Sequence, residues 1–274
     1  MGIDPKNVAL FIPPGLKKFK LKLFEDIGQK IIVAGGRTVR HDYAAVAKLP
    51  DEIIPIVGVS PQFRSLLLDE WPARKRPFIF WDRGYLRRVF ATWLPTGAQL
   101  GVPGGYYRWT LNAFQMQQIR DVSDDRWKAL KLDDQVRPWN RNGRHILVAA
   151  AGGTDYDDVF SDRGWTSRTV EQLETLTDRQ IIVRDKESKR PLWDQLRDAH
   201  ALVTHGSIAA VEAVVMGCPV FVHPFSAARL VGQTDFTKIE TPIYPDRMPW
   251  LYSLAASQWC ERELCDGTLW REIW

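Results

Sequence analysis

The sequence predicts an α/β protein made of two doubly wound units, each with a mostly parallel sheet. Three observations predict it. Short apolar runs alternate with helical patterns through the first half. The same rhythm restarts at His145 and continues as a β-α-β-α-β-α-β series. Between them, residues 133–143 (DDQVRPWNRNG) are polar and turn-rich and read as a linker. At 274 residues and 45% hydrophobic content, the chain can build one large α/β core or two small ones.

In the first half, residues 8–12 (VALFI) form a strand that ends on Pro13-Pro14-Gly15. Residues 16–27 show helical spacing and many lysines, and residues 31–34 read as a second strand closing on Gly35-Gly36. A short helix is expected over 42–49 and a strand over 53–59. A helix follows over 61–71 with Ser60 as its N-cap, then a buried strand over 78–81. From 87 to 116 the rhythm breaks, and LPTGAQLGVPGGYYRW reads as a Gly/Pro-rich loop between two strands. A helix is expected over 123–130.

After the linker, strands are expected over 145–151, 180–183, 202–204 and 219–222. Helices are expected between them over 167–176, 191–199 and 208–216. Residues 248–274 are mostly helical in pattern. The expected division is an N-terminal Rossmann-like domain over 1–135, a second over 136–250, and a helical tail over 251–274.

Composition narrows the function classes. Charged residues are 26% of the chain, an ordinary globular share that argues against wholesale disorder. The net charge of +4 and isoelectric point near 8.9 suit an anionic ligand, with nucleotide sugars, nucleic acid and anionic glycans all open. The three cysteines, Cys218, Cys260 and Cys265, match no zinc spacing and imply no disulfide framework. No metal ligand set and no cofactor are expected. The N-terminus does not read as a signal peptide, and no apolar run is long enough to span a bilayer. The expectation is a soluble, cytoplasmic protein without stable membrane insertion, in the host cytoplasm if virus-encoded. The pattern says nothing of oligomeric state. The 12 tryptophans include Trp81-Asp82-Arg83, Arg108-Trp109 and Gly164-Trp165, where rings beside charge or glycine either stack on ligands or fill the core.

Ligands of open α/β sheets bind at the carboxyl ends of the strands. The richest such end is THGSIAAVEAVVMGCPVFVHP, residues 204–224. A strand stops at Thr204, and His205-Gly206-Ser207 turn into a helix starting at Ile208. Its N-terminal N–H groups suit a diphosphate, with Ser207 as N-cap or phosphate ligand. Glu212 is the only charge on that helix. It lies one turn beyond Ile208, roughly 6 Å along the axis, a spacing that suits a grip on ribose hydroxyls. An ordinary α/β unit with Glu212 in an internal ion pair has the same pattern.

This segment resembles the donor-binding motif of GT-B glycosyltransferases, among them the UDP-glycosyltransferase superfamily and the GlcNAc transferase of peptidoglycan synthesis. The matching residues are His205, Gly206, Glu212, Gly217, Pro219 and Pro224. The resemblance implies two Rossmann-like domains facing a cleft. It also implies a nucleotide-sugar donor, a UDP-sugar as first choice, with His205 and the Ser207 turn on the diphosphate and Glu212 on the ribose. The Asp-Gln pair that many relatives place soon after the last proline is here represented only by Gln233 and Asp235, later and in reverse order.

Two further strand ends are donor-side candidates. Arg184 and Lys186 follow the 180–183 strand and offer charge-assisted bonds to phosphate, or a solvated loop. The run from Gln195 to Thr204 after them is similar to bacterial capsule-type and phage-encoded transferases. Gly152 and Gly153 let backbone approach a ligand, or simply turn the chain.

The first half would then take the acceptor, with Lys17, Lys18, Arg83, Arg108 and Trp109 as candidate contacts. An inverting transferase needs a general base, for which Asp82 is the first candidate and His41 or Asp42 the second. Three functions follow: sugar transfer to a hydroxymethylated pyrimidine in phage DNA, making DNA a candidate partner; transfer to a surface glycan or small molecule; or nucleotide binding without catalysis.

Overall fold

The computed structural model describes residues 3–58, 60–86, 105–150, 164–185, 187–266 and 268–269. These divide into two compact units. The first gathers residues 3–86, 105–114 and those from 257 onward; the second runs from 115 to 256. Residues 115–135 thus join the second unit, and the end of the chain returns to the first.

The first unit is a six-stranded mixed sheet. Four parallel strands lie side by side in the order β2 (Arg37–Arg40), β1 (Val8–Ile12), β3 (Ile54–Val57) and β4 (Ile79–Arg83). Next to β4, β5 (Tyr106–Leu111) runs antiparallel, and β10 (Gln258–Cys260) pairs antiparallel with β5. All five residues of β1 are buried. Val8, Leu10 and Ile12 pack with α1 (Lys18–Val33), while Phe11 joins Val57 and Phe63 in a separate cluster. Burial on both faces explains why β1 reads as a continuous apolar run rather than an alternating one.

Residues 31–34, expected as a strand, are the last turns of α1 and the loop after it; the second strand is β2. In a helix Ile27 and Ile31 share one face, and both are buried, at 0% and 1% exposure. Burying a side chain of that size stabilises by about 2 kcal/mol. Ile32 and Val33, which a half-buried strand would place on opposite faces, are both exposed. The segment expected as one helix over 61–71 is broken into a 3₁₀ turn (Pro61–Phe63), a π turn (Leu66–Glu70) and α3 (Trp71–Ala73). Ser60 bonds the Gln62 side chain instead of capping the backbone. A short helix α2 (Tyr43–Ala47) lies within the expected span.

The second unit is a four-stranded parallel sheet in the order β7 (Ile181–Arg184), β6 (His145–Ala149), β8 (Ala199–Thr204) and β9 (Val220–Val222). Helices α5 (Trp165–Glu174), α6 (Leu192–Leu196) and α7 (Ala209–Val215) connect these strands. Outside them, α4 (Asp125–Leu130) packs with α8 (Met248–Ala255). The tail is not all helix: β10 interrupts it before α9 (Glu261–Cys265).

The α7 helix stops in a Schellman motif. The Gly217 and Cys218 amides donate to the carbonyls of Val214 and Ala213 at 3.1 and 2.8 Å. Gly217 sits at φ +77°, and a Cβ there would meet the Pro138 carbonyl oxygen at 2.0 Å. The linker read from sequence is therefore tied down: Arg137 and Asn140 donate their amides to Val215 and Gly217. Arg247, buried, donates to the Val214 and Arg137 carbonyls and lies over Trp139, its ring centroid 4.3 Å away. Loss of hydration pulls the Arg247 guanidinium down to about 10.

Candidate functional site

In the second sheet the strand order reverses at β6, so β6 and β8 flank the switch point where doubly wound sheets open to ligand. The Thr204 hydroxyl donates to the Ala149 carbonyl at 3.0 Å and joins the two strand ends. Beyond β8 the chain enters the turn His205-Gly206-Ser207. Beyond β9 it enters His223-Pro224-Phe225. One backbone bond extends the pairing: the His223 amide donates to the His205 carbonyl at 3.0 Å.

Four rings gather there. The His205 ring lies 4.5 Å from His223, 5.1 Å from Phe225 and 5.6 Å from Trp165 at the start of α5. His205 and Trp165 are buried, whereas His223 is exposed. His223 Nδ1 accepts from the Phe225 amide at 3.4 Å, an assignment that puts its proton on Nε2.

The first turn of α7 is closed by its own residues. The Ser207 hydroxyl accepts from the Ala209 amide at 3.2 Å, and the Ser207 carbonyl from the Ala210 amide at 3.1 Å. Ser207 is exposed and stands one residue before Ile208, the residue at the N-cap position. Glu212 stands one turn on, its amide bonded to the Ile208 carbonyl, and is partly exposed on an otherwise mostly buried helix. The structure thus gathers His205, Gly206, Ser207, Ile208 and Glu212 on one strand-turn-helix.

Gly152, Gly153 and Lys186 lie outside the described residues. Arg184 ends the edge strand β7 and turns inward, donating to the Gln195 side chain, the Ser188 hydroxyl and the Arg190 carbonyl. It orders its own loop. Gln233 bridges to Phe221 and receives the Ile243 amide, while Asp235 caps the turn at Thr237. Those two hydrogen bonds from Thr237 hold the Asp235 carboxyl below its usual range.

Sequence reasoning passed over His223, although it sits beside Pro224 inside the quoted motif. It also passed over Gln115 and Gln117, whose only signal is polarity near the end of a long irregular stretch. The Gln115 amide is 1% exposed; it donates to the Gly206 carbonyl at 2.8 Å and accepts from the Ala227 amide at 2.9 Å. Gln117 donates to the Phe225 carbonyl at 2.7 Å.

In the first unit, the strand order reverses at β1. Lys17 and Lys18 follow β1 at the start of α1, both exposed. His41 follows β2, exposed, with its amide donating to the Ile12 carbonyl at 3.0 Å. Its φ of +58° is a left-handed conformation that costs a non-glycine residue about 1–2 kcal/mol. The Asp42 carboxylate caps α2, accepting from the Ala45 amide at 2.9 Å.

Two acceptor-side expectations are corrected. Arg108 and Trp109, candidate acceptor contacts by sequence, are 2% and 3% exposed. The register of β5 on β4 sets Arg108 opposite Asp82 and Trp109 opposite Trp81, where the two indoles pack 5.3 Å apart. Asp82, the first candidate base, spends its carboxylate on structure. One oxygen takes Arg108 Nη2 at 2.7 Å and the other the Arg83 amide at 2.7 Å. Arg83 itself is exposed.

No protein-family model and no curated protein matches the chain. Among solved structures it is similar to the β-Kdo 2,4 transferase of Thermosulfurimonas dismutans KpsC, at 13% identity over 92% of both chains, with a TM-score of 0.50. The β-Kdo 2,7 transferase of the same protein matches at 11% identity, covering 96% of this chain and 99% of that one, with a TM-score of 0.49. The fold is GT-B-like. At these identities the likeness is one of fold. Among the described residues no helix is long and apolar enough to cross a membrane, and no group of His, Cys, Asp or Glu is placed to hold a metal ion.

Proposed function

We propose that this protein is a glycosyltransferase that takes a sugar from a nucleotide-activated donor and places it on a hydroxyl of a glycan or small molecule. The observation that carries the reading is the β8–α7 turn at the switch point of the second sheet. It puts His205 and Ser207 in one turn, the exposed His223 ring 4.5 Å from that of His205, and Glu212 one helical turn beyond Ile208. In this reading the turn and His223 hold the donor phosphate and Glu212 holds ribose hydroxyls by charge-assisted bonds. The acceptor oxygen bonds to the anomeric carbon as the bond to phosphate breaks, and the nucleotide leaves with the electron pair. Phosphate is a charged leaving group, so N–H donors of the His205–Ser207 turn and of His223 would favour the transition state over the bound ground state.

A proton must leave the acceptor hydroxyl. With Asp82 held by Arg108, His41 is the candidate base in the first unit, an exposed imidazole just beyond a strand end. The glycan acceptor is preferred to a DNA base for two reasons. The fold is similar to that of a Kdo transferase, and Arg108 and Trp109, two of the candidate acceptor contacts, are buried.

Calorimetry with UDP, CMP, GDP and dTDP, followed by donor hydrolysis and transfer assays with the matching sugars, tests the reading. Saturable binding of one nucleotide with sugar transfer to a glycan supports it. Failure of every nucleotide to bind sinks it, and tight salt-sensitive binding to duplex DNA with sugar on a base restores the nucleic-acid acceptor.

A further inference from the structure

We infer that Gln115 is a positioning residue for the nucleotide site, acting through His205 and His223; this rests on the donor reading above. The two loops that carry the site lie beyond the ends of β8 and β9, where the sheet's own hydrogen bonds give out. The last backbone rung is the His223 amide on the His205 carbonyl. The next acceptor along, the Gly206 carbonyl, is taken by the Gln115 side chain, and the same amide group receives the Ala227 amide from the other loop. One side chain therefore supplies a further rung between loops that no strand pairs.

The burial of Gln115 makes this rung consequential. At 1% exposure, its removal leaves a carbonyl and an amide without a partner and out of reach of bulk water. The loops would separate, and His205 would lose its 4.5 Å tilted ring contact with His223 and its contact with Phe225. Gln117 repeats the device more weakly. Its side chain holds the Phe225 carbonyl and is itself held by Arg229 at 3.2 Å. A site already ordered before the donor arrives loses less entropy on binding, so loosening these bonds should appear in affinity.

The test uses the full chain with selectively ¹⁵N-labelled histidine, whose five imidazoles report separately. In Gln115→Leu the His205 and His223 ring signals should shift or broaden while those of His41, His145 and His200 hold. The nucleotide that binds the wild type best should bind about tenfold more weakly, and in Gln117→Leu about threefold more weakly. Gln258→Leu is the control. Gln258 is equally buried and bonds both the amide and the carbonyl of Leu86 in the first unit, so it should cost stability without changing nucleotide affinity. Equal affinity in wild type and in both the Gln115 and Gln117 variants overturns the role given to Gln115. So does an equal loss in Gln258→Leu, or His205 and His223 signals that stay in place. A wild-type protein that binds none of the nucleotides overturns the donor reading instead, while the imidazole signals still decide whether Gln115 holds the loops.

Discussion

Arg108 and Asp82 face each other across β4 and β5 with 2.7 Å between guanidinium and carboxylate, Arg108 fully inside and Asp82 at the rim. Arg108 also donates to the Arg83 and Phe114 carbonyls and lies over the Tyr85 ring. The guanidinium is therefore the hub and Asp82 its counter-charge. Asp82→Ala should cost about 2 kcal/mol of stability, because the buried cation loses its anion while some water reaches the rim. Urea unfolding of the isolated variant measures it. Transfer activity should follow the folded fraction, and a drop of a thousandfold or more in well-folded Asp82→Ala would return Asp82 to the catalytic role.

His41 separates strain from chemistry. Glycine accepts a φ of +58° without the Cβ penalty, so His41→Gly should gain about 1 kcal/mol of stability. The same variant should lose transfer by a factor of about 10²–10⁴ if the imidazole is the base. Thermal unfolding and initial rates on one preparation read both.

Glu212→Ala should weaken nucleotide binding about tenfold, equivalent to about 1.4 kcal/mol. Titration calorimetry against a deoxyribose analogue sharpens the assignment: the analogue should bind wild type and variant with similar affinity, since it lacks a hydroxyl for the carboxylate to hold.

Gly217→Ala should destabilise by more than about 1 kcal/mol, for the left-handed φ and the Pro138 carbonyl both oppose a Cβ. A shift of the urea midpoint with unchanged slope is the expected result.

His145 gives a pH dependence. Its Nε2 is buried without a hydrogen-bond partner, and loss of hydration lowers its pKa below the ordinary 6.5. Between the lowered folded value and 6.5 the unfolded chain binds more protons, so stability rises with pH in that window. The contribution is complete above 6.5 and is lost as the solution is acidified below it. Urea midpoints at constant ionic strength should show the wild type falling relative to His145→Gln as the solution is acidified below 6.5.

The pattern of residues gave the parallel strands readily where one run was wholly apolar. Residues 8–12 are β1 as expected, because burial on both faces leaves no alternation to confuse with a helix. The strand expected over 31–34 failed for a reason of the same kind. Ile31-Ile32-Val33 is apolar and β-branched, yet the i, i+4 pair Ile27 and Ile31 was the stronger signal. The strand-turn-helix over residues 199–215 was legible because a strand, a turn and an apolar helix follow one another within twenty residues. Arg108 and Trp109 were misjudged because burial of an arginine depends on a carboxylate 26 residues away on a neighbouring strand. Gln115 was silent for a similar reason, since its partners lie 91 and 112 residues further on.

The first unit takes its described strands from both sides of the second, β1 to β5 and then β10, while the described residues of the second run from 115 to 256. Synthesis proceeds from the N-terminus, and domains ordinarily fold in that order. Here the order is inverted in part. The second unit has all its strands once residue 256 has emerged, whereas the free edge of β5 stays uncovered until β10 is made. For that interval a nascent chain carries a finished second sheet and, in the first unit, an unpaired strand edge, the kind of edge that invites misassembly. Truncation just before residue 257 should therefore leave a foldable second unit and an aggregation-prone first one.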